Sequence, residues 1–104
     1  MLTEENLVLT RSEPNGNGGL QFVYRINNYG VAAVNFPTQD ITQLEWTVDV
    51  IKFRTADGLQ YDLCHTTDLA KKTLTFRNDR AVNEFLEKAF VYLKKPNFTE
   101  GVVE

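Results

Sequence analysis

Residues 81–96 read Ala-Val-Asn-Glu-Phe-Leu-Glu-Lys-Ala-Phe-Val-Tyr-Leu-Lys-Lys-Pro, and this stretch decides the fold. Its apolar residues recur every three or four positions, which is typical of one face of an α-helix: Val82, Phe85, Leu86, Ala89, Phe90 and Leu93. Asn78 or Asp79 is a suitable N-cap, and Pro96 ends the helix. A helix with one apolar face needs a partner surface, so we expect it to lie across a sheet.

The chain that precedes this helix has the alternating pattern of β-strands. In the clearest segment, four apolar side chains share one face: Leu20, Phe22, Tyr24 and Ile26. The pattern predicts strands over residues 6–11, 20–27, 31–36, 44–54, 59–65 and 73–77. A turn is expected at residues 27–30, where Asn and Gly tolerate positive φ.

Six strands followed by one helix predict an α+β fold, with a twisted antiparallel sheet packed by a single C-terminal amphipathic helix. The length of 104 residues fits one domain, expected over residues 1–96 with a tail at 97–104. The nearest general architecture is a pleckstrin-homology-like barrel, which has seven strands and a C-terminal helix. This chain would be a variant of it.

In the longest predicted strand, the apolar residues move from even-numbered to odd-numbered positions. Trp46, Val48 and Val50 share one face, but Ile51 and Phe53 lie on the other, which predicts a β-bulge near residues 50–51.

The pairing of this strand with the next one, at residues 59–65, can be inferred from their side chains. A three-residue loop at 56–58 sets Phe53 opposite Tyr61 and Ile51 opposite Leu63, and it pairs Lys52 with Asp62. This register matches apolar with apolar residues, and it requires a glycine with positive φ at position 58.

The composition limits the function and the compartment. The net charge is −3, from 11 Lys and Arg against 14 Asp and Glu, and no basic stripe favours nucleic-acid binding. The single cysteine excludes an internal disulfide, and there is one histidine. The sequence has no visible signal peptide and no apolar run long enough to cross a bilayer. We therefore expect a cytoplasmic protein without membrane association.

None of the polar groupings has the spacing of a reactive site. Cys64 and His65 are neighbours on a strand and point to opposite faces, which does not suit a nucleophile and its base. Asp62, His65 and Asp68 lack any known ligand spacing. The glycine-rich segment 16–19 lacks the lysine of a phosphate loop. The sequence thus predicts no catalytic residue, no metal and no cofactor.

The segment Tyr29-Gly30-Val31-Ala32-Ala33-Val34 is followed by a long strand, a turn, Tyr61-Asp62 and a terminal helix. Over residues 20–95 this order resembles small uncharacterised bacterial and phage-type proteins. Their glycine-rich insertion after the Tyr-Gly-Val strand is replaced here by residues 37–43. The resemblance implies no activity, and it favours an accessory protein of a mobile element.

The leading hypothesis is a non-catalytic protein-interaction or regulatory domain that binds another protein, or itself as a homodimer through an edge strand. Tyr29, Phe36 and Arg25 are its candidate binding residues, because exposed aromatic and arginine side chains often anchor interfaces.

Two alternatives remain open. One is a small-molecule or enzymatic site between helix and sheet, using Arg25, Asp62 and His65. The other is a weak nucleic-acid surface, whose four basic residues cluster around the last strand and the helix start: Lys71, Lys72, Arg77 and Arg80.

Overall fold

A computed structural model describes residues 2–12, 19–36 and 45–95 of the chain. The predicted tail at 97–104, most of the glycine-rich loop and the segment 37–44 lie outside the described residues. The described part contains these elements in order: β1 (Leu7–Ser12), β2 (Leu20–Ile26), β3 (Tyr29–Phe36), β4 (Glu45–Phe53), β5 (Tyr61–Leu63), β6 (Leu74–Phe76) and α1 (Asp79–Lys94).

The six strands form one antiparallel sheet in which β1 to β5 follow chain order. The strand β6 pairs with the first half of β4, next to the stretch that pairs with β5. The α+β class and the six-stranded antiparallel sheet are therefore confirmed. The described strands form an open sheet, so the pleckstrin-homology-like variant stays a hypothesis.

Helix α1 packs its predicted stripe against one face of the sheet, which we refer to as the helix face. All six stripe residues are buried: Val82, Phe85, Leu86, Ala89, Phe90 and Leu93. They share a core with Tyr24, Val31 and Val48 from the central strands. The Asn78 side chain caps the helix by accepting a hydrogen bond from the Ala81 N–H at 2.8 Å.

The predicted bulge in β4 is wrong. Strands β3 and β4 pair without interruption from Tyr29 opposite Lys52 to Phe36 opposite Glu45. Val50 and Ile51 are both fully buried on opposite faces of β4, because each face has its own apolar cluster. The register shift lies in β1, between Leu7 and Leu9.

The predicted register between β4 and β5 is confirmed, with Ile51 opposite Leu63 and Phe53 opposite Tyr61. The predicted positive φ at Gly58 is wrong. Among the glycines that the structure describes, Gly19 has a positive φ, of 89°. Instead, the Gly58 N–H donates to the Thr55 hydroxyl at 2.9 Å, so the loop turns through a side-chain hydrogen bond.

The turn between β2 and β3 is two residues shorter than predicted. Ile26 pairs with Tyr29, and Asn27 takes a φ of 57°, which Asn tolerates well. Gly30 therefore lies inside β3, where a Cβ atom would come within 1.9 Å of the Tyr24 carbonyl oxygen. Only glycine fits at this position without moving the backbone.

We expect Gly30→Ala to lower the free energy of unfolding by about 2–3 kcal/mol, because the added methyl group collides with backbone of β2. Gly58→Ala is the matched control. Its Cβ would meet the Thr55 hydroxyl at 2.7 Å, and that exposed side chain can rotate away. Urea denaturation of both variants checks this, and equal losses would contradict the account.

Tyr24 anchors the N-terminal segment to the core. Its ring is fully buried beside Phe90, and its hydroxyl donates to the Thr3 carbonyl oxygen at 2.7 Å. Burial raises the pKa of the Tyr24 phenol above its ordinary value, and the nearby Glu4 carboxylate raises it further.

We expect Tyr24→Phe to lower stability at neutral pH by about 1 kcal/mol, because the Thr3 carbonyl loses its donor. The raised pKa means that folding favours the protonated phenol. This contribution is complete below the unfolded pKa near 10 and is lost as the pH rises above it. Between neutral and alkaline pH, the free energy of unfolding from denaturation curves should therefore fall more steeply for the wild type than for Tyr24→Phe. Parallel curves would contradict the prediction.

Candidate functional site

The sheet face opposite the helix carries a second, smaller apolar cluster. We refer to its four buried residues as the outer cluster: Val23, Ala32, Ile51 and Phe53. Leu9 and Tyr61 pack against it from the two ends of the sheet. No residue of α1 belongs to this cluster, so within the described chain strands and loops cover it rather than the helix.

The sheet rolls over the outer cluster. The Gln21 side-chain amide on β2 donates to the Tyr61 hydroxyl on β5 at 2.8 Å, although β3 and β4 lie between these strands. In a flat sheet the two strands would be about 14 Å apart, with side chains standing parallel to each other. The contact therefore requires that the end of the sheet holding β5 curls toward β2.

Arg25 holds this rolled end in place. Its guanidinium lies 4.2 Å from the centre of the Phe53 ring. It donates to the carbonyl oxygens of Asn27 at 2.7 Å, Gly58 at 2.8 Å and Thr55 at 3.0 Å. The side chain thus joins the β2–β3 turn to the β4–β5 loop, and a role in binding another protein stays a prediction.

Strand β5 pairs with β4 through alternate residues. The Cys64 N–H donates to the Val50 carbonyl oxygen at 2.8 Å, and the Arg54 N–H donates to the Gln60 carbonyl oxygen at 3.0 Å. In an antiparallel pair, the residues between such bonded positions point their N–H and C=O groups to the opposite edge. The odd-numbered residues of β5 therefore point their backbone groups away from β4.

This geometry leaves the backbone of Tyr61 and Leu63 on a free edge, since within the described residues β5 pairs with β4 alone. Leu63 is 57% exposed and Leu59, just before β5, is 40% exposed. Leu63 and Tyr61 lie on the same face as Ile51 and Phe53, their partners in β4. We refer to Leu59, Tyr61 and Leu63 as the β5 strip.

A cavity of about 340 Å³ lies beside the strip and is lined by Arg11, Arg54, Leu59, Gln60 and Tyr61. Arg11 belongs to β1, so the cavity lies between the two ends of the rolled sheet. Arg54 is neutralised by Asp62, to which it donates two hydrogen bonds of 2.7 and 3.0 Å. These bonds hold the pKa of the Asp62 carboxyl below its usual value and raise the pKa of Arg54.

The other predicted binding residues lie elsewhere. Tyr29 is the first residue of β3 rather than part of a turn, and it is half-buried against the main core. The Lys52 ammonium lies 5.6 Å from the centre of its ring. The backbone of Phe36 ends β3 opposite Glu45, and its side chain lies outside the described part. Neither binding role is tested by these positions.

The structure separates the residues of the predicted small-molecule site. Asp62 pairs with Lys52 and lies on the helix face, whereas Arg25 stacks on the outer cluster. His65 instead contacts Asp49, with 3.0 Å between Nε2 and Oδ1. Asp49 was not among the predicted residues, although the predicted register of β4 with β5, extended two residues past Ile51 and Leu63, already sets it opposite His65.

Asp49 is shared by a further group, since the Thr73 hydroxyl donates to the same carboxylate oxygen at 2.5 Å. Cys64 is buried, and its sulfur lies 3.5 Å from the Thr66 hydroxyl oxygen. In the part of the chain that the structure describes, no three His, Cys, Asp or Glu side chains come close enough to hold a metal ion.

The four basic residues of the predicted nucleic-acid surface are all exposed. Lys71 forms an ion pair with Asp68 at 3.6 Å, and Arg80 forms one with Glu84 at 3.4 Å. These carboxylates reduce the positive potential that a phosphate backbone would meet. Lys72 and Arg77 complete the set, and its role stays a prediction.

We expect Leu63→Pro to leave the free energy of unfolding within about 0.5 kcal/mol of the wild type, because the lost N–H points away from the sheet. Asp62→Pro places the same ring one position earlier. There it removes a ladder hydrogen bond to β4 and should cost about 1–3 kcal/mol. Thermal and urea denaturation measure both variants. A larger loss for Leu63→Pro would mean that the edge is assigned to the wrong residues.

The free β5 edge, its apolar strip and the neighbouring cavity together form the candidate binding surface of the described chain. No helix in the described residues is long and apolar enough to cross a membrane. No known protein family, curated protein or solved structure matches this chain.

Proposed function

We propose that this chain is a non-catalytic protein-interaction module that binds an extended segment of a partner protein along β5. The observation that supports this proposal is the free edge at Tyr61 and Leu63, whose backbone groups have no pairing strand among the described residues. A segment added there gains main-chain hydrogen bonds, and its side chains cover the apolar strip.

The edge of β5 is short, at three residues, but its strip carries none of the side chains that usually protect an edge strand. Natural sheets block their edges with lysine, proline or a bulge, because an open edge recruits other chains. The strip has none of these, and Leu63 is its most exposed residue. The one charged side chain of β5, Asp62, is bound to Arg54 and points toward the helix face, so it leaves the strip apolar.

The strip also packs against buried residues that hold it in one conformation. Ile51 and Phe53, which pair with it, are almost fully buried. The Tyr61 hydroxyl is held by Gln21, and the ring of Tyr61 packs edge-on against Phe53 at a centroid distance of 6.0 Å. A surface that is ordered before binding loses little conformational entropy when a partner segment arrives.

Affinity capture with variants at the edge tests the proposal. Leu63→Pro removes the outward N–H, and Leu63→Thr keeps that N–H while reducing the apolar surface. Val91→Thr is the matched control, because Val91 is 64% exposed on α1. We expect a protein captured by the wild type and by Val91→Thr to be strongly reduced with Leu63→Pro and weakened with Leu63→Thr.

Hydrogen exchange then locates the contact. In the complex, the backbone amides of Tyr61 and Leu63 should exchange at least tenfold more slowly, because a paired strand protects them. Full capture by Leu63→Pro, or unchanged exchange at both amides in the complex, would contradict the proposal.

A small-molecule site is the second candidate, and one observation favours it. The Gln21 side-chain oxygen is buried and has no hydrogen-bond partner within the described residues. Gln21 does not line the cavity, but its amide bonds Tyr61, which does. A ligand with an N–H or O–H donor that displaced the Tyr61 side chain would satisfy this oxygen. Such a ligand would protect neither edge amide, so the same exchange measurement separates the two candidates.

A further inference from the structure

We infer that the partner segment has apolar residues at two alternate positions and an acidic residue two positions later, toward its C-terminal end. The inference rests on the proposed function and adds the chemistry of the partner. It follows from three features of the site: the direction of β5, the face on which its strip lies, and the charge beside Leu59.

The direction of the segment follows from the strand order. Each neighbour in the series from β1 to β5 is antiparallel, so β1 and β5 run in the same direction. A segment that pairs with β5 can run antiparallel to it, which is the more stable pairing, and it then runs antiparallel to β1 across the cavity as well. Such a segment runs from Leu63 toward Leu59, and its C-terminal end reaches the cavity.

The side-chain pattern follows from the two-residue period of a strand. Residues of the segment opposite Leu63 and Tyr61 lie on the same face as the outer cluster and meet apolar surface. The residue opposite Leu59 lies two positions later and reaches the wall of the cavity that contains Arg11. The pattern is therefore apolar, any, apolar, any, acidic.

The acidic residue follows from the charge of that wall. Arg54 is already paired with Asp62 at 2.7 Å. Arg11 is exposed and forms no hydrogen bond or ion pair with any described residue. A carboxylate that arrives next to Leu59 therefore meets a guanidinium that has no ion-pair partner among the described residues. An exposed ion pair of this kind contributes about two- to fivefold in affinity.

Blocked synthetic peptides test this with the full chain. The first probe is acetyl-Thr-Val-Thr-Val-Thr-Glu-Thr-amide, the second replaces Glu with Gln, and the third places Glu at the second position and the two valines after it. Titration of ¹⁵N-labelled protein should shift the amide signals of Tyr61 and Leu63. We expect the first probe to bind about two- to fivefold tighter than the others at low salt.

Arg11→Gln should remove this preference without weakening the Gln probe, and Arg77→Gln, at another exposed arginine, should leave the preference intact. Equal affinity of all three probes for the wild type would overturn the acidic requirement and leave strand binding standing. Absence of any shift at Tyr61 and Leu63 at millimolar peptide would overturn both proposals.

A dimer in sedimentation that is lost in Leu63→Pro would assign the edge to a second copy. That result would support strand pairing and overturn the acidic segment.

Discussion

Val50 and Ile51 are adjacent in β4, fully buried, and directed to opposite faces of the sheet. A strand turns successive side chains to opposite sides, so this pair obliges the protein to cover both faces at one place. Helix α1 covers the side of Val50. The side of Ile51 is covered by the sheet itself, which rolls until Tyr61 and Leu9 close over the outer cluster. With one helix in the described chain, the roll is what shields the second face.

The roll also creates the proposed binding site. The outer edge of β5 has no pairing strand among the described residues, and the roll brings the end of β1 close enough for Arg11 to share a cavity with Leu59. The hydrogen bond from Gln21 to Tyr61 and the guanidinium of Arg25 hold the curl. The same contacts that protect the interior therefore also hold the proposed binding edge in a fixed conformation.

The sequence predicted the structure correctly where the structure follows from the spacing of apolar residues within one or two neighbouring elements. The helix stripe and the match of Phe53 with Tyr61 came from spacing and side-chain pairing, which need no knowledge of distant strands. The bulge prediction failed because it assumed that one face of β4 is buried. Apolar residues on both faces at positions 50–53 are equally consistent with a strand covered on both sides.

The site was harder to predict, because it depends on strand order and on the roll. Tyr29 was placed in a turn, yet the turn closes at Asn27 and Asn28 and leaves Tyr29 inside β3. The contact of Gln21 with Tyr61 joins two strands that are not neighbours in the sheet, so strand pairing alone does not predict it. The contact of His65 with Asp49 continues the predicted register of β4 with β5, and only its hydrogen bond was missed. The alternation of Leu59, Tyr61 and Leu63 was visible, but the sequence does not tell a free edge from a paired one.

The described sheet edges differ in how readily they would accept the proposed added strand. The edge strand β1 is interrupted by a register shift and ends in polar residues, both of which discourage further pairing. The strand β6 is three residues long, and its Leu74 and Phe76 pack against the main core. The strand β5 is equally short, but Leu63 at its end and Leu59 just before it have exposed side chains. Since burial of apolar surface drives association, the exposed strip makes β5 the edge at which an added strand gains most.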